Sequence, residues 1–244
     1  TGVDNVAVGG IDAAAQATLQ SNTTGTNNVA VGGGALYSNS TASNNTAVGY
    51  RALKANTTGT TNTALGLNAL TANTTAADNT ALGGSTLQAN TTGANNTAVG
   101  RQAGYTNTTG NSNTFIGRSS GSQITTGSGN TIIGRYQGNS GGLDIRTSSN
   151  NIVLSDGDGN PRMRVNASGY MSFSPNRNEG TRATDTASTH VIHQTQGDTT
   201  AILESTSSNP YGMLMDFSSA SPDNNSNYFL ACYDSTSARC IIRS

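Results

Sequence analysis

The sequence predicts an all-β protein in which a parallel β-solenoid of 17-residue coils is followed by a small C-terminal β domain. Three observations carry this prediction: a phrase that repeats at a fixed spacing, a strand-like pattern inside it, and a composition with few charges. Charged residues make up 10% of the chain, against about 25% in a typical soluble domain. Disordered chains of low hydrophobicity usually carry a high net charge, but the formal net charge here is −1. The composition therefore favours an ordered repeat with an uncharged polar surface.

The repeated phrase begins with Asn, continues with three residues of strand character and ends with Gly, as in NTAVG at 45–49. From Asn28 onward the phrase recurs every 17 residues, and an earlier copy starts at Asn5. The interval from Asn5 to Asn28 is 23 residues, so six extra residues lie near GIDAAAQ at 10–16. A short fixed period is the signature of a solenoid. We therefore expect stacked coils, each about 4.8 Å above the last.

Further columns of residues share this spacing. One column is leucine in the early coils and glycine in the later ones, and its members are Leu19, Leu36, Leu53, Leu70, Leu87, Gly104, Gly121 and Gly138. Another lies in the NTTG turns and comprises Thr23, Thr57, Thr74, Thr91 and Thr108. The Asn column predicts a ladder of side-chain amides bonded from coil to coil. The Gly after each strand predicts a corner with positive φ.

Alternation along each strand divides its side chains between two faces, and both faces are apolar. In NTAVG, Thr46 and Val48 lie on one face and Ala47 lies on the other. We expect the Thr46/Val48 face to be the interior of the coil. Since a thin coil buries only one face, the Ala face is expected to pack against other copies, with threefold symmetry favoured over a wide monomer with a second internal layer. The predicted trimer interface consists of Ala30, Ala47, Ala64, Ala81, Ala98, Phe115 and Ile132.

The N-[TV]-A-[VL]-G phrase, with AL or AG downstream, resembles the head repeats of trimeric autotransporter adhesins and of related phage tail fibres. The resemblance covers residues 5–141 and implies left-handed parallel β-rolls from three chains, although the repeat here is somewhat longer. NNIVLSDGDGNPRMRVNASGYMSF at 150–173 is similar to a segment common in phage tail fibres, where it precedes a C-terminal chaperone of the endosialidase type. The resemblance thus implies an extracellular virion fibre protein that adheres to a host. A bacterial trimeric surface adhesin is the alternative.

Three parts of the chain are expected on these grounds. Residues 1–142 form the solenoid shaft, residues 143–182 form a β-hairpin connector and linker, and residues 183–244 form the C-terminal β domain. In the connector, NIVLSDGDGNPRMRV at 151–165 predicts two strands joined by a tight turn. The expected strands of the last part are THVIHQT at 189–195, TAILEST at 200–206, GMLMDFS at 212–218, NYFLACY at 227–233 and RCIIRS at 239–244.

The expected partners are two further copies of the chain, other tail or baseplate proteins, and a host cell-surface glycan or protein. The receptor contacts are predicted in the C-terminal domain, at Tyr211, Asp216, Asn227 and Tyr228. Nucleic acid is disfavoured, because a nucleic-acid interface needs a basic face and the charge is near zero. Membrane insertion is disfavoured as well, because no stretch approaches the roughly 18 apolar residues of a spanning helix.

No cofactor, metal site or catalytic residue is predicted. The two histidines, His190 and His193, are three apart in a strand-like run and so point to opposite faces. Asp156, Asp158 and Asn160 imitate the start of a calcium loop, but the acid of the twelfth position is missing, so a turn is favoured. A polysaccharide depolymerase built on paired aspartates remains a less favoured alternative, since nothing in the spacing requires it.

Three more features leave alternatives open. Cys232 and Cys240 are expected to face each other across a hairpin, as two thiols or as a disulfide. Arg101, Arg118 and Arg135 recur at the 17-residue spacing, which indicates either a solvated surface or a stripe that binds acidic glycans. An ice-binding solenoid is disfavoured, because the strand threonines are expected to face inward.

Overall fold

The computed structural model describes residues 2–169, 171–173, 230–233 and 238–242, and these contain strands, turns and no helix. The chain divides into two units, residues 1–188 and 189–244. The strands of the first unit are β1 (Val6–Val8), β2 (Val29–Val31), β3 (Thr46–Val48), β4 (Thr63–Leu65), β5 (Thr80–Leu82), β6 (Thr97–Val99), β7 (Thr114–Ile116), β8 (Thr131–Ile133), β9 (Asn139–Ser140), β10 (Leu143–Asp144), β11 (Ile152–Ser155), β12 (Pro161–Val165) and β13 (Met171–Phe173). In the second unit, β14 (Leu230–Tyr233) and β15 (Ala238–Ile242) are described.

Eleven strands of the first unit form one sheet in the order β1 to β8, then β11, β12 and β13. Strands β1 to β8 and β11 are parallel, and each pairs in register with the equivalent residues of the next coil, as Ala47 does with Ala64. The predicted parallel β-solenoid with 17-residue coils is therefore confirmed.

Each solenoid strand ends after three residues because a glycine turns the corner. Gly49, for example, has φ of 136°, a backbone conformation that residues with a Cβ rarely adopt. A Cβ placed on Gly49 would also lie only 2.4 Å from the carbonyl oxygen of Gly66 in the next coil. The corner therefore excludes larger residues for two reasons, backbone conformation and contact between stacked coils.

A ladder of asparagines, which we call the strand ladder, runs beside the strands, and all of its members except Asn5 are buried. In each step the Oδ1 of one Asn accepts the backbone N–H of the next, at 3.0 Å from Asn28 to Asn45 and 2.9 Å from Asn45 to Asn62. The Nδ2 of Asn45 also donates to Gly59 O, in the turn that precedes Asn62, at 2.9 Å. These bonds confirm the predicted stacking of amides. The members are Asn5, Asn28, Asn45, Asn62, Asn79, Asn96, Asn113, Asn130 and Asn151.

A second ladder, the turn ladder, consists of the asparagines that open the NTTG-type turns. Each Nδ2 donates to the Oδ1 of the preceding coil, as Asn56 does to Asn39 at 3.0 Å. The ladder stops at Asn107, whose buried Oδ1 accepts no hydrogen bond, because the next coil has Ile124 in place of Asn. Its members are Asn22, Asn39, Asn56, Asn73, Asn90 and Asn107.

The core lies between the strands and the opposite wall of the coil, and the alanines of the strands belong to it. The predicted trimer interface is therefore wrong, because every side chain in that row is already buried inside a single chain. The alanines share one buried hydrophobic cluster with residues such as Leu53. The row comprises Ala30, Ala47, Ala64, Ala81, Ala98, Phe115 and Ile132, all 0% exposed.

The six-residue insertion of the first coil is held by Asp12, whose side chain is fully buried. Its Oδ1 accepts the N–H groups of Ala14 and Gln16, at 2.8 and 2.9 Å, and its Oδ2 accepts Arg51 Nε at 2.6 Å. Burial opposes the charged form, but these hydrogen bonds outweigh it and lower the pKa of Asp12. Arg51 belongs to the third coil, and Gly34 of the second coil leaves the space through which the two side chains meet.

At the other end of the solenoid, β11 and β12 form the predicted hairpin, with Ile152 opposite Val165. Val153 on β11 is fully buried under the last coil. The guanidinium of Arg164 on β12 donates to Oδ1 of Asn151 at 3.0 Å and so closes the strand ladder. The hairpin thus supplies the donor that a further coil would have supplied.

In the second unit, β14 and β15 form an antiparallel pair. β14 falls within the expected strand at 227–233, and β15 overlaps the one expected at 239–244 but begins one residue earlier. The other three expected strands lie outside the described residues. Cys232 and Cys240 are opposite each other in the register of this pair, as the sequence predicted.

Candidate interaction surface

The outward side of the eleven-stranded sheet carries two columns of side chains, which together we call the strand face. The first column begins with two valines, continues with six threonines and ends with apolar residues: Val6, Val29, Thr46, Thr63, Thr80, Thr97, Thr114, Thr131, Ile152, Val165 and Met171. The second column is aliphatic in the coils: Val8, Val31, Val48, Leu65, Leu82, Val99, Ile116, Ile133, Leu154 and Met163.

Large apolar side chains are unusually exposed on the strand face. Val8 is 57% exposed, Leu65 49%, Ile133 44% and Met171 55%. Neither column contains a charged residue, and eleven strands at about 4.8 Å make the face about 50 Å long. Monomeric soluble proteins rarely expose a continuous apolar strip of this kind unless it meets a partner.

The threonines add hydroxyl groups without an intramolecular hydrogen bond to the face. Within the described residues, the hydroxyl groups of Thr46, Thr63 and Thr80 make no hydrogen bond, and those of Thr97, Thr114 and Thr131 make none either. By contrast, threonines of the NTTG turns donate to the next coil, as Thr57 Oγ1 does to Thr74 O at 3.0 Å. The strand hydroxyls are therefore available to water or to another molecule.

Sequence reasoning assigned the two sides of the strand the wrong way round, although one signal pointed to the observed orientation. Asn45 and Ala47 are two residues apart and so lie on the same side of the strand. Because the amide of Asn45 is fully buried and bonds within the coil to Gly59 O, that side is the interior. The Thr46/Val48 side then faces outward.

The predicted receptor contacts, Tyr211, Asp216, Asn227 and Tyr228, lie outside the described residues, as do His190 and His193. The acidic turn of the β11–β12 hairpin is described and is a hydrogen-bonded turn. Asp156 accepts the N–H groups of Asp158 and Asn160 at 3.0 and 2.9 Å. The bond from Asn160 N–H, followed by that from the Arg162 side chain, lowers the pKa of Asp156. Its carboxylate is thus already hydrogen-bonded within the chain.

Among the described residues, no group of three or more His, Cys, Asp or Glu side chains is arranged to hold a metal ion. The same residues include no helix that could cross a bilayer.

Comparison of the chain with protein-family models, with curated proteins and with solved structures gives no match in any of the three.

Proposed function

We propose that this protein is a structural and host-adhesion fibre protein of a virion, in which three chains pack along their strand faces into a rigid shaft. The observation that carries the proposal is the strand face itself, an uncharged, largely apolar strip that extends over all eleven strands. The adhesive role follows from the resemblance of the repeats and of residues 150–173 to phage tail fibres. A cell-surface glycan or protein is the receptor in this proposal.

A second copy of the chain suits the strand face better than an unrelated partner does. The face repeats at the coil spacing, so copies aligned in parallel bring equivalent levels together along the whole length. Burial of the exposed valine, leucine and isoleucine side chains supplies the free energy of association. The free threonine hydroxyls then find partners across the interface at six successive levels. The resemblance favours three copies, and the axis lies along the strand faces rather than along the buried alanines.

Solution mass tests the shaft. By light scattering after size exclusion, we expect the wild type to have three times the mass of the 24.7 kDa chain. Leu65→Glu with Ile116→Glu places two charges on the strand face and is expected to give a monomer with unchanged β-sheet circular dichroism, since both side chains point away from the core. The control is Thr58→Glu with Thr109→Glu, at two exposed turn positions, which is expected to leave the trimer intact.

A monomeric wild type would contradict the proposal. So would a trimer that persists in the Leu65→Glu/Ile116→Glu variant, because the copies would then meet through another surface.

The adhesive end is tested separately at the predicted contacts. Alanine at Tyr211, Asp216, Asn227 and Tyr228 is expected to abolish adsorption to host cells while the trimer mass stays the same. Unchanged adsorption would remove the receptor assignment from these residues and leave the shaft assignment intact.

Ice binding is a second candidate, because the structure reverses the argument against it. The threonines of the strand face lie outward on a parallel sheet, one per coil over six coils. Such an array can order water if the face is free. Thermal hysteresis of a monomeric wild type, lost in Thr80→Lys, would favour this function over the fibre. A trimer without hysteresis would exclude it.

A further inference from the structure

Three arginines occupy the same corner of consecutive coils, and we call them the arginine stripe. Arg101, Arg118 and Arg135 each follow a corner glycine directly. The backbone stacks them, because Ser119 N–H donates to Arg101 O at 2.9 Å and a Cβ on Gly100 would lie 3.1 Å from Arg118 N. The positive charges therefore recur along the solenoid axis at about the spacing of the coils, 4.8 Å.

The solenoid supplies almost no counter-charge to the stripe. No Asp or Glu occurs between Asp78 and Asp144. Arg101 and Arg118 are exposed, and within the described residues neither of them forms an ion pair. Like charges stacked at this spacing repel one another, so the stripe favours an anion that bridges them.

The last member of the stripe has the nearest acidic residue. Arg135 donates to Gly157 O at 3.4 Å, and its N–H donates to Asp156 O. The carboxylate of Asp156, however, is held by Arg162 and by two backbone N–H groups. The neighbouring acid is thus already paired, and most of the charge of the stripe stays uncompensated.

The fold does not require arginine at this corner. The equivalent position holds Gly33, Tyr50, Leu67 and Gly84 in the four preceding coils, and their strands have the same register. A glycine, an aromatic residue and a leucine thus satisfy the same backbone. Folding therefore does not explain why the later three coils have arginine at this position.

We propose that the arginine stripe binds a linear acidic polysaccharide whose carboxylate or sulfate groups follow the solenoid axis. Guanidinium groups bind planar or tetrahedral oxyanions through two parallel N–H donors, which suits arginine better than lysine for this contact. A polymer with a regularly repeated charge matches a stripe with one cation per coil. Nucleic acid fits less well, since three arginines on a chain of net charge −1 make no extended basic face. Binding at the stripe requires neither the trimer nor the C-terminal contacts.

Calorimetric titration of the full chain tests this site with dextran sulfate and polygalacturonate as probes and neutral dextran as the blank. We expect the wild type to bind both polyanions, more weakly as salt rises from about 50 to 200 mM. Arg101→Gln with Arg118→Gln and Arg135→Gln is expected to weaken binding at least about tenfold, because charge-assisted hydrogen bonds are lost. Lysine at the same three positions keeps the charge and is expected to retain part of the affinity.

The matched control is Thr58→Asp with Thr92→Asp and Thr126→Asp. It changes the net charge by the same three units at exposed positions of two NTTG turns and of the ITTG turn at 124–127, and we expect affinity to stay within about threefold of the wild type. Equal weakening in this control, or undiminished binding by the glutamine variant, would overturn the proposal. Tighter binding of a single-stranded oligonucleotide through the same arginines would replace the polysaccharide by nucleic acid. Solution mass measured on the same samples separates this outcome from a failure of the fibre proposal.

Discussion

The early and late coils of the solenoid fill the same interior in opposite ways. In the early coils the strand contributes a small residue and the opposite wall a large one, as in Ala47 and Leu53. In the late coils the strand contributes Phe115, and the wall contributes Gly104 and Gly121. A Cβ on Gly121 would lie 2.4 Å from the Phe115 ring, and one on Gly104 would lie 2.7 Å from it. The same interior volume is thus filled in both regions, although different residues fill it.

The exchange also changes the strain in the backbone. The wall position has positive φ in both regions, 51° at Leu53 and 59° at Gly121. A leucine in this region costs about 1–2 kcal/mol, which glycine avoids. In the early coils, therefore, the backbone is strained at the wall position, which holds a large side chain. In the late coils glycine removes this strain, and the large side chain lies on the strand.

The largest effect is expected from removing the ring in the late coils. Phe115→Ala should lower the free energy of unfolding by about 3–5 kcal/mol, because the facing glycines leave a cavity that nothing fills. Adding Gly104→Leu and Gly121→Leu should recover part of the loss, since these changes rebuild the early type of coil on a backbone that tolerates leucine. Chemical denaturation of the three variants measures both steps.

The two glycine substitutions alone provide the control. With Phe115 still present they should destabilise the protein, because ring and leucine compete for one volume. If the two leucines lower the free energy of unfolding no more with Phe115 present than with Phe115→Ala, the ring and the leucines do not compete for one volume. The two types of coil would then not be alternatives.

A somewhat smaller effect is expected in the strand ladder, which both regions share. Asn62→Ala deprives the buried N–H of Asn79 of its acceptor and removes the bond to Ala76 O. We expect a loss of about 2–4 kcal/mol in the free energy of unfolding. Asn113→Ala in the late coils should cost a similar amount, because it removes the same two bonds, from Asn130 N–H to the side chain and from the side chain to Gly127 O. Markedly unequal losses would show that the two regions differ in more than their cores.

Low pH should affect the early end through Asp12. Since its folded pKa lies below the ordinary value of 3.8, the contribution of Asp12 is present above that value and is lost as the pH falls below it. Asp12→Asn should therefore lower the melting temperature at pH 7 and lower it less at pH 3. An equal difference between wild type and variant at both pH values would contradict the role of the charge.

The smallest effect is expected where the turn ladder stops. Ile124→Asn offers a donor to the unpaired Oδ1 of Asn107, a gain of about 1–3 kcal/mol, but it removes a buried isoleucine worth about as much. We expect a net change within about 1 kcal/mol. Ile124→Ala, which loses the side chain without adding the donor, should cost about 2–5 kcal/mol. Equal losses in the two variants would show that Asn107 gains nothing from a longer ladder.

Most of the fold was predictable from sequence because it depends on local repeats. The spacing of Asn28 and Asn45 predicted the coil length, and Gly49 predicted the corner. The alternation in NIVLSDGDGNPRMRV predicted the hairpin of β11 and β12. The early stop of the turn ladder was also visible in principle, as Ile124 in an asparagine column. The contact of Asp12 with Arg51 was not predictable, because it joins residues 39 apart through a gap left by glycine.

The orientation of the strands needed the three-dimensional structure. Sequence establishes that Thr46 and Val48 share one side and that Ala47 lies on the other, since side chains alternate along any strand. Which side is buried is decided when the coil closes, with Asn45 and Ala47 fully buried and the Asn45 amide bonded to Gly59 O. These are properties of the closed coil rather than of any segment. Packing places the methyl group of Ala47 inside and leaves the larger Val48 outside. In this way it creates the strand face on which the proposed assembly depends.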